Sequence, residues 1–556
     1  MDSGKEEVES EASEVILRSA SAMAEAVKAS YREGQTDYHL KPLVLVDGRG
    51  DPIGRIKDGD SVIFCCRRGE REVQLTRAFV DPALDEFPRK NLKDLTFVIM
   101  TLYHEMFRDL PVAFGPVKLK DTLGEVISQQ GLKQLRIAES EKFAHVTFFF
   151  NGGNSSPFPG ELDVEIPSPR RVPFEQVPEL SIARVTAEAV KGITRDEYHF
   201  IVVNLANGDV IGHINHREAN IACAEAVDGH LGALLQAAAE NGYVAVVTAD
   251  HGVLEEMVRP DGSPAVGHTD NPVPFALIDP GLGEESAVTL REGGKSGDVA
   301  PTVLQIMGLP QPEAMTCRSL LQNYPRGSRR RVVLVILDGW GIGRKDETNP
   351  IFLADTPVWD KITGQYPFTT LEASGEAVGL RKGKKGNSQA GHTNMAAGRV
   401  VLQDDVRIDM ALKDGSFYEN KAFLEAIDRA REKKAALHLL ALLSRKSSHG
   451  SVDYPLALLR LAKERGLREA YIHIIFDGRS TDPGSAPQLL EEFGREIETI
   501  GIGQIVSGMG RGIALDRDKN YREKTKLAYD ALVFGQGKRV FWNGNGSTEL
   551  EVYRPL

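Results

Sequence analysis

The sequence has little cysteine, no long apolar run and a deficit of positive charge. Its four thiols in 556 residues, Cys65, Cys66, Cys223 and Cys317, have neither the spacing of a zinc site nor that of a secreted disulfide framework, so a reducing, cytoplasmic compartment is expected. The longest apolar runs, such as VVLVIL and YVAVVTA, fall far short of the roughly 20 residues that cross a bilayer. The acidic opening MDSGKEEVESEASEV lacks the basic region and apolar stretch of a signal peptide. A formal net charge of -12 sets the average field against nucleic acid and anionic membrane, so neither is an expected partner. Any anionic ligand must then meet a local basic cluster. Proline and glycine are not in excess and no solenoid-type repeat is present, which argues against a fibre or a disordered chain.

What is present is an alternation of short β-branched, apolar runs with helical stretches, the pattern of parallel sheets covered by helices on both faces. Single cores stop growing at roughly 250 to 300 residues, so two α/β domains are expected. The clearest buried strands are HVTFFF (145–150), HFIVVNL (199–205), YVAVVTA (243–249), VVLVIL (332–337), ALHLLALL (436–443) and AYIHIIF (470–476). A solvated connector is expected at QNYPRGSRRR (322–331), and the acidic first ~15 residues are expected to fray. Ligands of open α/β sheets bind at the carboxyl ends of the strands. Asp338 follows VVLVIL there, Asp250 and His251 follow YVAVVTA, and Asp209 stands just beyond HFIVVNL. His449 and Arg479 follow the last two runs.

Carboxylates and imidazoles are the ligands of hard and borderline divalent ions. Four segments, LDGWG, NGDVIGH, TADHG and VGHTDNP, supply Asp338, Asp209, His213, Asp250, His251 and His268. Asp209 and His213 are four apart, so one helical turn would present both on one face. Taken singly, each has a bland reading: an Asp-Gly turn, a core histidine, a helix cap. Taken together at strand ends, they favour a metal site. Ser388, in KKGNSQAGHTNMAAG, is read at a helix N-terminus, where backbone donors and the dipole suit a phosphate. The bland alternative there is a serine N-cap.

These segments together resemble cofactor-independent phosphoglycerate mutase, of the alkaline-phosphatase superfamily, over nearly the whole chain. The resemblance implies two domains, an alkaline-phosphatase-like α/β/α sandwich and a smaller α/β transferase domain. It implies one metal on Asp209, His213 and His268 and another on Asp338, Ser388, Asp250 and His251. The ions would be two divalent cations, manganese before magnesium, zinc or cobalt, with no 2,3-bisphosphoglycerate. The substrate residues would be His449, Arg479, Arg511, Arg517, Arg68, Arg71 and Lys142, which supply the basic cluster that the net charge demands. The implied reaction interconverts 3-phosphoglycerate and 2-phosphoglycerate through phosphoserine on Ser388, in a monomer whose partner is the small-molecule substrate.

Segment order departs from the family. LDGWG and the serine motif stand late here, after the other metal segments, as in a circular permutation joined near 322–331. This order places the transferase domain at 1–116 and 403–556 and the phosphatase-like domain at 117–402. Other departures fall near the expected substrate residues: Ser480 follows Arg479 where an acid is usual, and Arg445, Lys446 and Ser447 replace a glycine-rich approach to His449. Gln389 and Ala390 follow Ser388, Cys65, Cys66 and Arg67 replace an aromatic and polar stretch, and Gly508, Met509 and Gly510 precede Arg511. A metal-dependent phosphatase and a metal-binding pseudoenzyme are the alternatives.

Overall fold

Apolar runs buried on both faces favour parallel strands between layers of helices, and the chain builds two such sheets. The computed structural model describes residues 3–67, 69–282, 288–325, 330–445, 447–541 and 550–551. The chain divides into two units, one formed by Met1–Pro116 with Arg407–Leu556 and the other by Val117–Val406. The first stretch contributes β1 (Leu43–Val46), β2 (Ser61–Phe64), β3 (Thr96–Thr101) and β4 (Val112–Phe114). The central stretch contributes β5 (Gln134–Glu139), β6 (Glu161–Ile166), β7 (Phe200–Leu205), β8 (Tyr243–Thr248) and β9 (Val273–Ile278). It continues with β10 (Thr289–Leu290), β11 (Gly294–Lys295), β12 (Leu321–Gln322), β13 (Arg331–Leu337) and β14 (Phe368–Glu372). The last stretch adds β15 (Leu437–Leu443), β16 (Ala470–Phe476), β17 (Gln504–Gly510), β18 (Lys538–Phe541) and β19 (Leu550–Glu551).

In the central unit the main sheet runs β11-β14-β9-β8-β13-β7-β5-β6. β13 lies between β8 and β7, parallel to both, with Ile336 beside Thr248 and Leu337 beside Leu205. Three strands therefore end level, and the residues after them are delivered to one edge. β9 pairs antiparallel with both neighbours, β8 and β14. In the other unit the order is β19-β18-β1-β17-β16-β15-β2-β3-β4. Here β2, β15, β16 and β17 are parallel neighbours. Side chains alternate across β15: Leu437, Leu439, Ala441 and Leu443 enter one core, and Leu440 and Leu442 enter the other.

The α/β reading with two domains holds, but two local expectations do not. HVTFFF forms a π-helical turn, His145–Phe149, not a strand. Lys142, Val146 and Phe150 recur on its buried side at four-residue spacing while Phe148 is 40% exposed, a helical period that the run of aromatics masks. The strand in this region is instead β5, whose Gln134, Arg136 and Glu139 are buried and break the apolar pattern. The acidic opening does not fray from residue 3 onward: Ser3–Arg32 is one helix, rich in Glu and Ala, which favour helix. Within the expected connector, Gln322 and Arg331 belong to strands, and residues 326–329 lie outside the described ones.

Candidate active site

Asp338 directly follows β13, and Asp250 stands two residues beyond β8, so the level strand ends bring both carboxylates into the same buried space. Asp209 arrives from the short helix Asn207–Gly212, which His213 ends. The loops pass within van der Waals limits only because glycine lines them: Gly339 has φ +76, and a Cβ there would lie 2.5 Å from the Asp209 amide nitrogen.

Three imidazoles converge on one oxygen. Asp209 Oδ1 lies 3.3 Å from His213 Nε2, 3.3 Å from His268 Nε2 and 3.6 Å from His251 Nε2. Each ring faces a carbonyl through Nδ1: His213 with Val266 at 2.9 Å, His268 with Gly386 at 2.6 Å and His251 with Gly252 at 3.3 Å. Donation from Nδ1–H leaves the Nε2 lone pair aimed inward, the tautomer that ligates metal. Asp209 Oδ1 and Asp250 Oδ2 are buried with no hydrogen-bond partner. Lone pairs gathered without a shared proton suit a cation. Two ligand sets meet this description geometrically, Asp209 with His251 and His268, and Asp250 with His251 and Asp338.

Ser388 is the first residue of the helix Ser388–Ala397, and Asn387 is the N-cap, accepting from the Ala390 amide. The serine hydroxyl is thus released from capping. Its Oγ lies 2.9 Å from His251 Nε2 and 3.3 Å from Asp338 Oδ1. Lys142 Nζ donates to Ser388 Oγ at 2.7 Å and to Asp209 Oδ2 and Asp338 Oδ1 at 2.6 Å each. Burial opposes the lysine charge, but Asp338, Asp209 and Asp250 outweigh it and hold the ammonium above the usual lysine range. Burial likewise opposes ionised Asp209, yet His213, His268 and Lys142 hold its carboxyl well below the usual range. For Asp338, burial and then the charge of Asp250 push the carboxyl up, with Lys142 opposing. His213 is raised by its contact with Asp209, and His268 is raised by Asp209 and Gly386 against burial.

Sequence reasoning missed the residues that support this set. Asn204, a polar break in β7, donates to Asp338 Oδ2 at 2.7 Å and contacts His392 Nε2 at 3.0 Å. His392 stands four residues after Ser388 and faces its carbonyl through Nδ1 at 2.9 Å. Glu255 is buried and ties the loops together, accepting from Asn271 Nδ2 at 2.9 Å, from the Gly341 amide at 3.0 Å and from the Thr269 hydroxyl. The i, i+4 spacing of His392 from Ser388 and of Glu255 from His251 was the available signal.

Lys142 stands among the carboxylates; the other expected residues belong to the unit of Met1–Pro116 and Arg407–Leu556, where β15, β16 and β17 end level and β2 stops three residues short of them. Arg511 begins directly after β17 and pairs with Asp477, which follows β16. Arg479 lays its guanidinium over the Tyr38 ring, 4.9 Å from the centroid. His449 contacts Glu72 through Nδ1 at 3.0 Å. Arg71 donates to the Leu515 carbonyl at 3.2 Å, and Arg517 is exposed two residues beyond Leu515. Arg68 lies outside the described residues, as does Lys446. Ser480 donates its amide to Asp477 Oδ2 at 3.2 Å. Among the described residues no helix is long and apolar enough to cross a membrane.

Comparison with known proteins bears on both units. Residues 408–549 match the family described as the BPG-independent PGAM N-terminus. The chain is 47% identical over 304 residues to the 2,3-bisphosphoglycerate-independent phosphoglycerate mutase of Moorella thermoacetica, covering 54% of this chain and 58% of that protein. It is 46% identical over 308 residues to the enzyme of the same name from Thermomicrobium roseum, covering 55% and 58%. A solved structure of Leishmania mexicana phosphoglycerate mutase at low cobalt concentration aligns with 30% identity and a TM-score of 0.40 over 50% of this chain and 53% of that one. The chain thus spans just under three fifths of the length of the curated relatives it matches. Residues 9–311, more than half of the chain, match the metalloenzyme superfamily, and the chain belongs to that family.

Proposed function

We propose that this protein is a metal-dependent phosphoglycerate mutase that carries the phosphoryl group on Ser388. The observation that supports this most is the position of the Ser388 hydroxyl, within hydrogen-bond reach of Lys142 and His251 and beside Asp338, at the rim of partnerless carboxylate oxygens. Asp209, His213 and His268 would hold one divalent ion, and Asp338, Ser388, Asp250 and His251 another, with manganese the ion we assign first. Bound there, the ions would supply Lewis acidity that ionises the serine and offsets phosphoryl charge. Lys142 adds a fixed positive charge beside the nucleophile. His449, Arg479, Arg511, Arg517, Arg68 and Arg71 would grip the carboxylate and phosphate of the substrate. The names of the relatives and the match at residues 408–549 support the same reading.

We also read the segment order as a circular permutation, with the phosphatase-like domain at 117–402 and the transferase domain at 1–116 and 403–556. It is supported by the family order: a description of an N-terminal region matches here after the metalloenzyme match has ended. A cytoplasmic, monomeric enzyme is part of this proposal.

The test is an enolase-coupled assay with 3-phosphoglycerate and manganese. Wild type should form 2-phosphoglycerate and Ser388→Ala should lose at least about 1000-fold, as expected for removing a covalent nucleophile. Equal rates for the two proteins would remove the serine mechanism. A phosphatase reading is favoured by one feature, Ser480 in the place of an acid, and predicts steady phosphate release without 2-phosphoglycerate.

A further inference from the structure

Two of the cations expected to meet an anion spend donors on the protein itself: Arg511 pairs with Asp477, and Arg71 donates to the Leu515 carbonyl at 3.2 Å. Arg479 is held differently. Its side chain is exposed, and among the described residues the partner of its guanidinium is a ring, that of Tyr38, with the centroid 4.9 Å away. Both residues belong to the unit of Met1–Pro116 and Arg407–Leu556.

Tyr38 lies at the centre of the short turn Asp37–His39, which is tied down on either side. Asp37 is buried and accepts from the Tyr31 hydroxyl and from the Gly484 amide, the latter at 3.0 Å. The Leu40 carbonyl accepts from the Gly510 amide at 2.8 Å. Glycine precedes each of the two arginines, and both glycines touch this turn. A Cβ at Gly478 would lie 2.5 Å from the Tyr38 amide nitrogen, and one at Gly510 would collide with the Tyr38 carbonyl oxygen. A Cβ at Gly512 would lie 2.6 Å from Tyr38 Cε1. The tyrosine is thus seated against the ends of β16 and β17, where Arg479 and Arg511 leave the sheet.

A guanidinium is planar, carries five N–H donors around its edge and stacks on aromatic faces. A carboxylate holding Arg479 in place would occupy that edge. A ring holds the plane and leaves the edge to a ligand. It also restricts a long side chain beforehand, so less freedom is lost when an anion binds. We infer that Tyr38 is a positioning residue: its ring fixes the plane of Arg479 so that the donor edge meets a carboxylate or phosphate oxygen pair of phosphoglycerate, an inference that rests on the mutase reading above.

The test uses the full chain with manganese and 3-phosphoglycerate, read by turnover in wild type and by calorimetry in Ser388→Ala, which should bind without reacting. Tyr38→Leu should raise KM about 10-fold with kcat within about threefold, and should weaken the calorimetric affinity by the same factor. Tyr38→Phe keeps the ring and should match the parent protein within about twofold. In an Arg479→Ala background, Tyr38→Leu should change affinity by less than about twofold, because the tyrosine acts through the arginine. An unchanged KM in Tyr38→Leu, a phenylalanine variant as weak as the leucine one, or a deficit that persists without Arg479 would overturn the inference. One reading needs no change at Tyr38: the Arg479 Nε–H resonance, assigned by its loss in Arg479→Lys, should move as 3-phosphoglycerate is added to Ser388→Ala, and a resonance unmoved at saturation would also overturn it. If Ser388→Ala binds 3-phosphoglycerate but wild type forms no 2-phosphoglycerate, the mutase reading fails and the calorimetric arms still decide the role of Tyr38. If wild type interconverts the two and no coupling joins Tyr38 to Arg479, the inference fails alone. A protein that neither binds nor converts 3-phosphoglycerate removes both.

Discussion

Three histidine nitrogens point at one aspartate oxygen, and that contact governs how the site answers to pH. Asp209 raises His213 and His268 above the ordinary imidazole range in the metal-free protein. A protonated imidazole cannot ligate, so metal must displace protons. Because the values are raised, that competition begins at higher pH than for a free imidazole near 6.5. Manganese affinity measured by calorimetry should fall steadily from pH 8.5 to pH 6, with proton release growing as pH falls. An affinity unchanged across that window would contradict the assignment of these rings. Glu255 makes a second case, since it touches no reacting group yet spans three ligand-bearing loops. Glu255→Gln should weaken manganese binding by about 10-fold or more, as loss of supporting partners does at other metal sites. The acids and histidines were legible in the sequence because each follows a strand-like run. Asn204 was not, because its contact with Asp338 depends on which strands become neighbours, and for His392 and Glu255 only the i, i+4 spacing was on offer.

At the scale of elements, strand register does most of the work. β7, β13 and β8 were all readable as apolar runs, and their level ends place Asp209, Asp338 and Asp250 together. The register itself was not readable, since nothing local in VVLVIL says that it inserts between two strands from an earlier part of the chain. The aromatic run 145–150 misled for a physical reason. Its residues favour strand by type, but only one side is buried, and the π-helical turn follows Lys142, whose carbonyl accepts from the His145 amide at 3.0 Å while its ammonium reaches the carboxylates. Such turns recur at functional sites. The helix that carries Ser388 owes its start to Asn387, whose side chain accepts from the Ala390 amide at 2.9 Å. Asn387→Ala should cost about 1 kcal/mol of stability in denaturant titration and should lower activity further than that loss explains, because the serine would be drawn toward the vacant cap. A variant with wild-type activity would show that the cap does not position the nucleophile. Gly391 belongs to the same helix, and a Cβ there would lie 2.6 Å from the Asp250 carbonyl oxygen, so the helix and the Asp250 loop pack without room for a side chain.

For the molecule as a whole, the acidic net charge and the basic residues at the ends of β2, β15, β16 and β17 divide two tasks. The average field repels polyanions, while the proposal assigns the local arginines to a small one. The central unit carries Ser388 and the carboxylates and imidazoles proposed as metal ligands, and the other unit carries the arginines and His449 proposed to grip the substrate. Two α/β domains were legible from length and from the alternation of runs. The central claim is that Ser388 itself becomes phosphorylated, with help from a divalent ion held by its neighbours. The most direct measurement is to incubate the protein with labelled 3-phosphoglycerate and manganese, quench, digest and locate the label by mass spectrometry. The account predicts phosphate on Ser388 that disappears with chelation and in Asp338→Asn. Turnover without phosphate on Ser388, or label on another residue, would contradict it.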